Sequence, residues 1–97
     1  MRKVNIGVAG LGFGKEFAAI YLEHPNVDKV AICTRNPKTL KNVGDELGIP
    51  EKLRFTNYDD MAECKELDAI HIVTPIAEHY PQTMKALKEK KHTACTV

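Results

Sequence analysis

Ninety-seven residues, 43 % apolar and 28 % charged, suffice for one compact domain over 1–97 and leave no room for a second of ordinary size. A net charge of +1 offers no field to steer nucleic acid or an acidic lipid surface, so neither partner is expected. No run approaches the roughly 18 uninterrupted apolar residues of a membrane span, and the start Met1-Arg2-Lys3-Val4 lacks a long apolar h-region and cleavage site, so a cytoplasmic location is expected.

The chain alternates apolar strand candidates with helix-like segments. Val4 to Ala9 forms the first strand, and Phe17, Ala18, Tyr21 and Leu22 then mark a helical stripe ending near His24-Pro25. A second strand, Val30 to Thr34, runs into Asn36-Pro37. Asparagine suits a helix N-cap and proline the first helical position, so a helix is expected through Leu40, Val43 and Leu47 to a stop at Gly48. A short third strand is expected at Leu53 to Thr56, with one or two helical turns around Asp59 to Cys64. The fourth, Ala69 to Val73, is apolar except for His71 and ends at Thr74-Pro75. Tyr80, Met84 and Leu87 then repeat at helical spacing, closing in Lys88, Lys90 and Lys91, where cations suit the helix dipole and a solvated end is favoured over a nucleic-acid patch. His92 to Val97 reads as a fifth strand.

This alternation predicts an α/β fold, a doubly wound parallel sheet of order 3-2-1-4-5. Such a sheet binds ligands beyond its strands' carboxyl ends, where Gly10 to Gly14, Thr34-Arg35, Thr74-Pro75 and Thr96-Val97 converge. The cysteines Cys33, Cys64 and Cys95 are odd in number and hold no CxxC pair, which reads as reduced, structural thiols. His24, His71, His79 and His92 show no metal-ligand spacing, and no metal site is expected.

The run Gly10-Leu11-Gly12-Phe13-Gly14-Lys15 sits between the first strand and first helix. Its glycines either shape a tight turn or let backbone amides reach a pyrophosphate at the helix start. The usual GxGxxG fingerprint would place its third glycine where Lys15 stands. Either Gly14 takes over the helix-packing role or the helix sits further from the sheet. Lys15 itself either reaches a phosphate or faces solvent. About 20 residues later, where an acidic side chain commonly binds the adenosine ribose of NAD, stand Thr34 and Arg35. Without the carboxylate a 2′-phosphate is no longer repelled, and arginine can grip it, so NADP(H) is expected in preference to NAD(H).

Four segments carry a family resemblance. The glycine turn, Ala31 to Pro37, the block Asp68 to Pro75 with His79 four residues on, and Ala86-Leu87 leading to Lys91-His92 resemble, in order, the amino-terminal domain of Gfo/Idh/MocA oxidoreductases. The resemblance implies an NAD(P)-binding Rossmann domain contacting its cofactor through Gly10, Leu11, Gly12, Phe13, Gly14, Thr34, Arg35, Thr74, Pro75, Ile76 and His79, although His79 also reads as a plain helix-start residue. It implies a parent reaction of hydride transfer between nicotinamide and a carbinol carbon, commonly of a sugar or cyclitol. Three departures stand out. Thr96 and Val97 occupy the positions of the family's glutamate and catalytic lysine, so no catalytic residue is assigned. The acidic residue after the second strand is Thr34. The family's carboxyl-terminal α+β substrate domain is not among these residues, so a sugar-like substrate is expected only with that domain, and the chain alone is expected to be inactive. Alternatives are a non-catalytic nucleotide-binding or regulatory module, and a piece of a NAD-dependent glycosidase or lyase. An uncovered sheet edge at the fifth strand makes self-association an expectation.

Overall fold

In the computed structural model, which describes residues 3–73 and 76–95 and the side chains of 3–11, 14–73 and 81–94, strands and helices alternate along the chain. They are β1 (Val4–Ala9), α1 (Leu11–Glu23), β2 (Val27–Cys33), α2 (Pro37–Leu47), a 3-10 turn (Glu51–Leu53), β3 (Arg54–Phe55), α3 (Tyr58–Ala62), β4 (Ala69–Ile72), α4 (Ile76–Lys88) and β5 (His92–Cys95). The strands form a single five-stranded sheet in the order β3-β2-β1-β4-β5, every pair parallel, as the sequence predicts. Val8 sits in register between Ile32 and His71, and Ala9 between Cys33 and Ile72. The central strands therefore end level, which brings Gly10, Thr34 and Val73 to one edge of the sheet.

The central strands carry the core because helices cover both of their faces. Val8, Ala9, Ala31, Ile32, Ile70 and Ile72 are almost wholly buried. Gly7 belongs to the same packing, since a methyl group there would lie 2.9 Å from Leu67 Cδ1 and 3.0 Å from Met61 Sδ, both on the α3 side. Helix α2 begins and ends as its local chemistry dictates. Asn36 Oδ1 accepts from the amides of Lys38 and Thr39 at 3.0 and 3.3 Å, Pro37 opens the first turn, and Gly48 closes the helix at φ 69°. Leu40 and Val43 face the sheet.

Three elements differ from the sequence expectation. Strand β2 starts at Val27, three residues before Val30, because Val4 pairs with Val27 and a polar side chain mends the ladder beyond it. The register slips between Val4 and Ile6, and Asn5 fills the gap: its Oδ1 accepts the Lys29 amide at 3.0 Å and its Nδ2 donates to the Glu66 carbonyl at 2.7 Å. Strand β3 shrinks to two residues because Pro50 starts a 3-10 turn that takes in Leu53. Helix α4 lies where Tyr80, Met84 and Leu87 place it, but Met84 and Leu87 are 50 % and 54 % exposed, and Ala86 makes the buried contact instead. Small size at the sheet-facing position lets this helix seat closely, so its larger apolar side chains fall outside. Past Lys88 the chain turns through Lys90 at φ 62°, an unusual conformation for a side-chain-bearing residue. The fifth strand is described as far as Cys95; Thr96 and Val97 lie outside the described residues.

Arg54 closes the outer flank by lying across α2. Its Nε donates to the Ile49 carbonyl at 2.8 Å and its Nη1 to Asp45 at 2.9 Å, and a methyl group on Gly44 would collide with the guanidinium. The Lys41 hydrogen bond, and after it that of Arg54, holds the Asp45 carboxyl below its ordinary pKa. Among the described residues no helix is long and apolar enough to cross a membrane.

Among the described residues the buried polar residue is His71, under α1. Its Nδ1 lies 2.8 Å from the Tyr21 hydroxyl, and the Phe17 ring meets it edge-on at 4.6 Å between centroids. Burial disfavours the imidazolium, so the pKa of His71 falls below its ordinary value. The unfolded chain then binds a proton more readily than the folded one. This contribution to stability is complete above the unfolded histidine pKa of about 6.5 and declines as pH drops from there toward the lower folded value. Urea midpoints measured across this range should fall with acidity, and His71→Phe should flatten the decline; an unchanged slope in the variant would contradict this account.

Candidate functional site

Strand β1 ends at Ala9, and Gly10 turns the chain into α1 at φ 91° and ψ 112°, a conformation that side-chain-bearing residues rarely adopt. The Gly10 amide is spent on the Cys33 carbonyl at 2.9 Å, which pins the turn to the end of β2. The amides of the next turn stand differently. Helices α2 and α3 are capped by Asn36 and Asn57, whereas no side chain caps α1 and no acidic residue lies in its first turn. A 13-residue helix thus brings its positive end and its first-turn amides to the carboxyl edge of the sheet, which suits an anionic group. Leu11 buries its side chain in the core, so only its backbone is offered there.

The helix comes this close because of Gly14. A methyl group at Gly14 would lie 2.9 Å from Val8 Cγ1, so the packing role of the fingerprint's third glycine falls on Gly14, one position early. Lys15 points away toward α2 and forms an ion pair with Glu46, with the two side chains 44 % and 55 % exposed. Of the alternatives open in the sequence, the structure favours close packing through Gly14 and a solvent-side Lys15.

Beside the turn lies a cleft of about 500 Å³, within the size range of small-molecule sites. Gly10, Thr34 and Arg35 line one side of it, where β1 and β2 end. Thr34 is fixed by its backbone N–H, which donates to the Phe55 carbonyl at 3.1 Å. Cys33 also reaches the cleft, but it is otherwise buried, and that burial pushes its thiol up to about 12; Arg35 nearby pulls it down and Asp60 pushes it up. A thiol held neutral in this way is a poor nucleophile.

The opposite wall escaped the sequence reading. Asn57, Tyr58 and Asp59 follow β3, and Pro81 and Gln82 approach from α4. Tyr58 joins the two elements by donating its hydroxyl to the Gln82 carbonyl at 2.6 Å. A signal was available, since the order 3-2-1-4-5 puts the end of β3 beside that of β2. Of the expected contact residues, Gly10, Thr34 and Arg35 meet at the cleft, and Leu11, Gly12, Phe13 and Gly14 form the start of α1. Ile76 and His79 lie in the first half of α4, and their side chains, like Thr74 and Pro75 as a whole, fall outside the described residues. Among the described residues no group of three or more His, Cys, Asp or Glu could hold a metal.

The GFO_IDH_MocA family model, described as oxidoreductase family, NAD-binding Rossmann fold, matches residues 4–96. The 2,7-anhydro-N-acetylneuraminate hydratase of Escherichia coli strain K12 is 32 % identical over 93 residues, which are 95 % of this chain and 24 % of that protein. A glycosyl hydrolase family 109 protein of Porphyromonas gingivalis is 28 % identical over 105 residues, 100 % of this chain and 22 % of its own length. Among solved structures, scyllo-inositol dehydrogenase from Lactobacillus casei with bound cofactor NAD(H) and scyllo-inositol superposes with a TM-score of 0.86 at 32 % identity, over 97 % of this chain and 28 % of that one. The chain thus spans about a quarter of the length of these relatives.

The close seat of α1 can be tested on stability. Gly14→Ala should cost about 1–3 kcal/mol in urea unfolding, the usual range for overpacking, because Val8 belongs to the central strand. Lys15→Ala should change stability by less than about 0.5 kcal/mol, as an exposed ion pair contributes little. Equal losses in the two variants would contradict the assignment of the packing role to Gly14.

Proposed function

Since the chain belongs to the Gfo/Idh/MocA oxidoreductases, through their NAD-binding Rossmann domain, we propose that it is the cofactor-holding part of an enzyme transferring hydride between nicotinamide and a carbinol carbon of a sugar or cyclitol. The uncapped, closely seated start of α1 beside the cleft carries this reading. Its amides at Leu11, Gly12 and Phe13 would receive the pyrophosphate, with Gly10 giving the turn and Gly14 the approach. When bound, the nicotinamide supplies the hydride acceptor and donor; the chain's own residues orient it and exclude water.

Thr34 and Arg35 would hold the adenosine ribose. Arg35 lines the cleft, and Thr34 stands where an acidic residue commonly ends β2, which supports NADP(H) over NAD(H). By family resemblance Thr74, Pro75, Ile76 and His79 would lie along the nicotinamide side. No proton-transferring residue is assigned, since valine at position 97 has no exchangeable proton to give. We place the substrate-holding surface outside these 97 residues, in keeping with the quarter of its relatives' length that the chain spans. The free thiols Cys33 and Cys64 support a reducing, cytoplasmic setting, and the outer edge of β5 supports association between copies.

A second reading keeps the cofactor and changes the net reaction. The named hydratase and glycosyl hydrolase among the relatives favour a glycosidase or lyase in which bound nicotinamide is oxidised and reduced within one turnover. Turnover of a sugar substrate with stoichiometric change in nicotinamide absorbance supports the dehydrogenase; turnover with no net change supports the second reading.

Calorimetric titration tests the cofactor assignment directly. Arg35→Ala should weaken NADPH by about tenfold or more, as a charge-assisted bond to the 2′-phosphate contributes about 1.5–3 kcal/mol, and weaken NADH much less. Equal weakening of both would overturn the NADP preference. Failure of both to bind the unsubstituted protein at millimolar concentration would overturn the cofactor reading itself.

A further inference from the structure

Helix α4 is held unevenly along its length. In the half after Pro81, Ala86 is buried against the sheet and Lys85 Nζ reaches Glu63 Oε2 at 3.1 Å, so this half is fastened both to the sheet and to the end of α3. Pro81 lies inside the helix and has no N–H to donate to the carbonyl four residues before it, which removes one of the bonds joining the first half to the second. At this joint the helix receives a bond from outside. The ring of Tyr58 packs against the core, and its hydroxyl donates to the Gln82 carbonyl at 2.6 Å, one residue past the proline. Tyr58 is itself anchored, because it follows β3, which pairs with β2 and accepts the Thr34 N–H at the Phe55 carbonyl. Fixed contacts thus run from Thr34 through β3 and Tyr58 to α4, and Thr34, Tyr58, Pro81 and Gln82 all line the cleft.

We propose that Tyr58 is a positioning residue for the cofactor: its hydroxyl holds α4 at the Pro81 joint and so sets the spacing between the α4 wall of the cleft and the wall of Thr34 and Arg35. The hydroxyl acts through the Gln82 carbonyl and makes no contact of its own with the ligand. The first half of α4, from Ile76 to Tyr80, springs from this joint, and it carries the residues that the cofactor reading sets along the nicotinamide side. A wall fixed before binding spares the ligand the cost of ordering it. Without the tether α4 would take several positions against β3, and the dinucleotide would bind only the fraction that fits. The lever is specific to a tyrosine, since phenylalanine fills the same space in the core and offers the carbonyl no donor.

This inference rests on the cofactor reading and fails separately from it. Calorimetric titration of Tyr58→Phe, at a temperature where the variant is fully folded, should show NADPH and NADH weakened alike, by about threefold to tenfold, the factor to which one hydrogen bond's net contribution converts. Glu63→Ala supplies the comparison, because it removes the other tie between α3 and α4 and Glu63 does not line the cleft. It should leave both affinities as they are. A hydroxyl with a purely structural role would lower the melting temperature of Tyr58→Phe and leave its dissociation constants unchanged. That result, or an equal loss of affinity in Glu63→Ala, would overturn the positioning role and leave the cofactor assignment standing. Absence of binding of either dinucleotide by the unsubstituted protein would overturn both.

Discussion

The contact between Gly14 and Val8 is the constraint on which the remaining structure turns. Val8 is the buried centre of β1, flanked by Ile32 on one side and His71 on the other, so it cannot retreat without disturbing three strands. The absence of a side chain at Gly14 lets α1 descend onto it. That descent fixes the height of the first helical turn above the sheet and, with it, the position of the unclaimed amides. It also brings Phe17 and Tyr21 down onto His71, so that a polar side chain in the sheet acquires a hydroxyl partner and an aromatic cover. A helix held further out would leave a buried imidazole facing a void, which is costly in a densely packed interior.

Three asparagines divide the remaining polar work. Asn5 mends the ladder at the amino edge, Asn36 caps α2, and Asn57 caps α3. Each satisfies backbone groups that would otherwise lack partners, which matters more than the modest net gain of any single bond. The start of α1, which no side chain caps, opens on the cleft. The amino edge of the sheet is closed by its own side chains, with Asp68 also accepting the Asn5 amide at 2.9 Å, and the carboxyl edge is left to a ligand.

What could be read from the sequence was what local chemistry decides. Asn36, Pro37 and Gly48 determine the ends of α2 within a few residues of themselves, and the apolar runs of β1 and β4 announce buried parallel strands. Features set by distant partners were hidden. The early start of β2 depends on an asparagine 24 residues away. The spacing of Met84 and Leu87 announces a helix but not its buried face, which Ala86 decides by how closely it fits the sheet. Asn57, Tyr58 and Asp59 carry no motif, and they gain meaning only because strand order brings them beside Thr34 and Arg35 and because Tyr58 reaches Gln82 across the cleft.

The arrangement of Arg54 over α2 bears on how the protein avoids its own copies. A sheet with an open edge invites another strand, and the defence is a short, charged or twisted outer strand. Strand β3 offers two residues, one of them an arginine anchored to Asp45 and to the Ile49 carbonyl. So brief a ladder gives an incoming strand little to bind, and the tethered guanidinium stays at that margin. Colloidal behaviour should therefore be lopsided, with one flank of the sheet resistant to stacking.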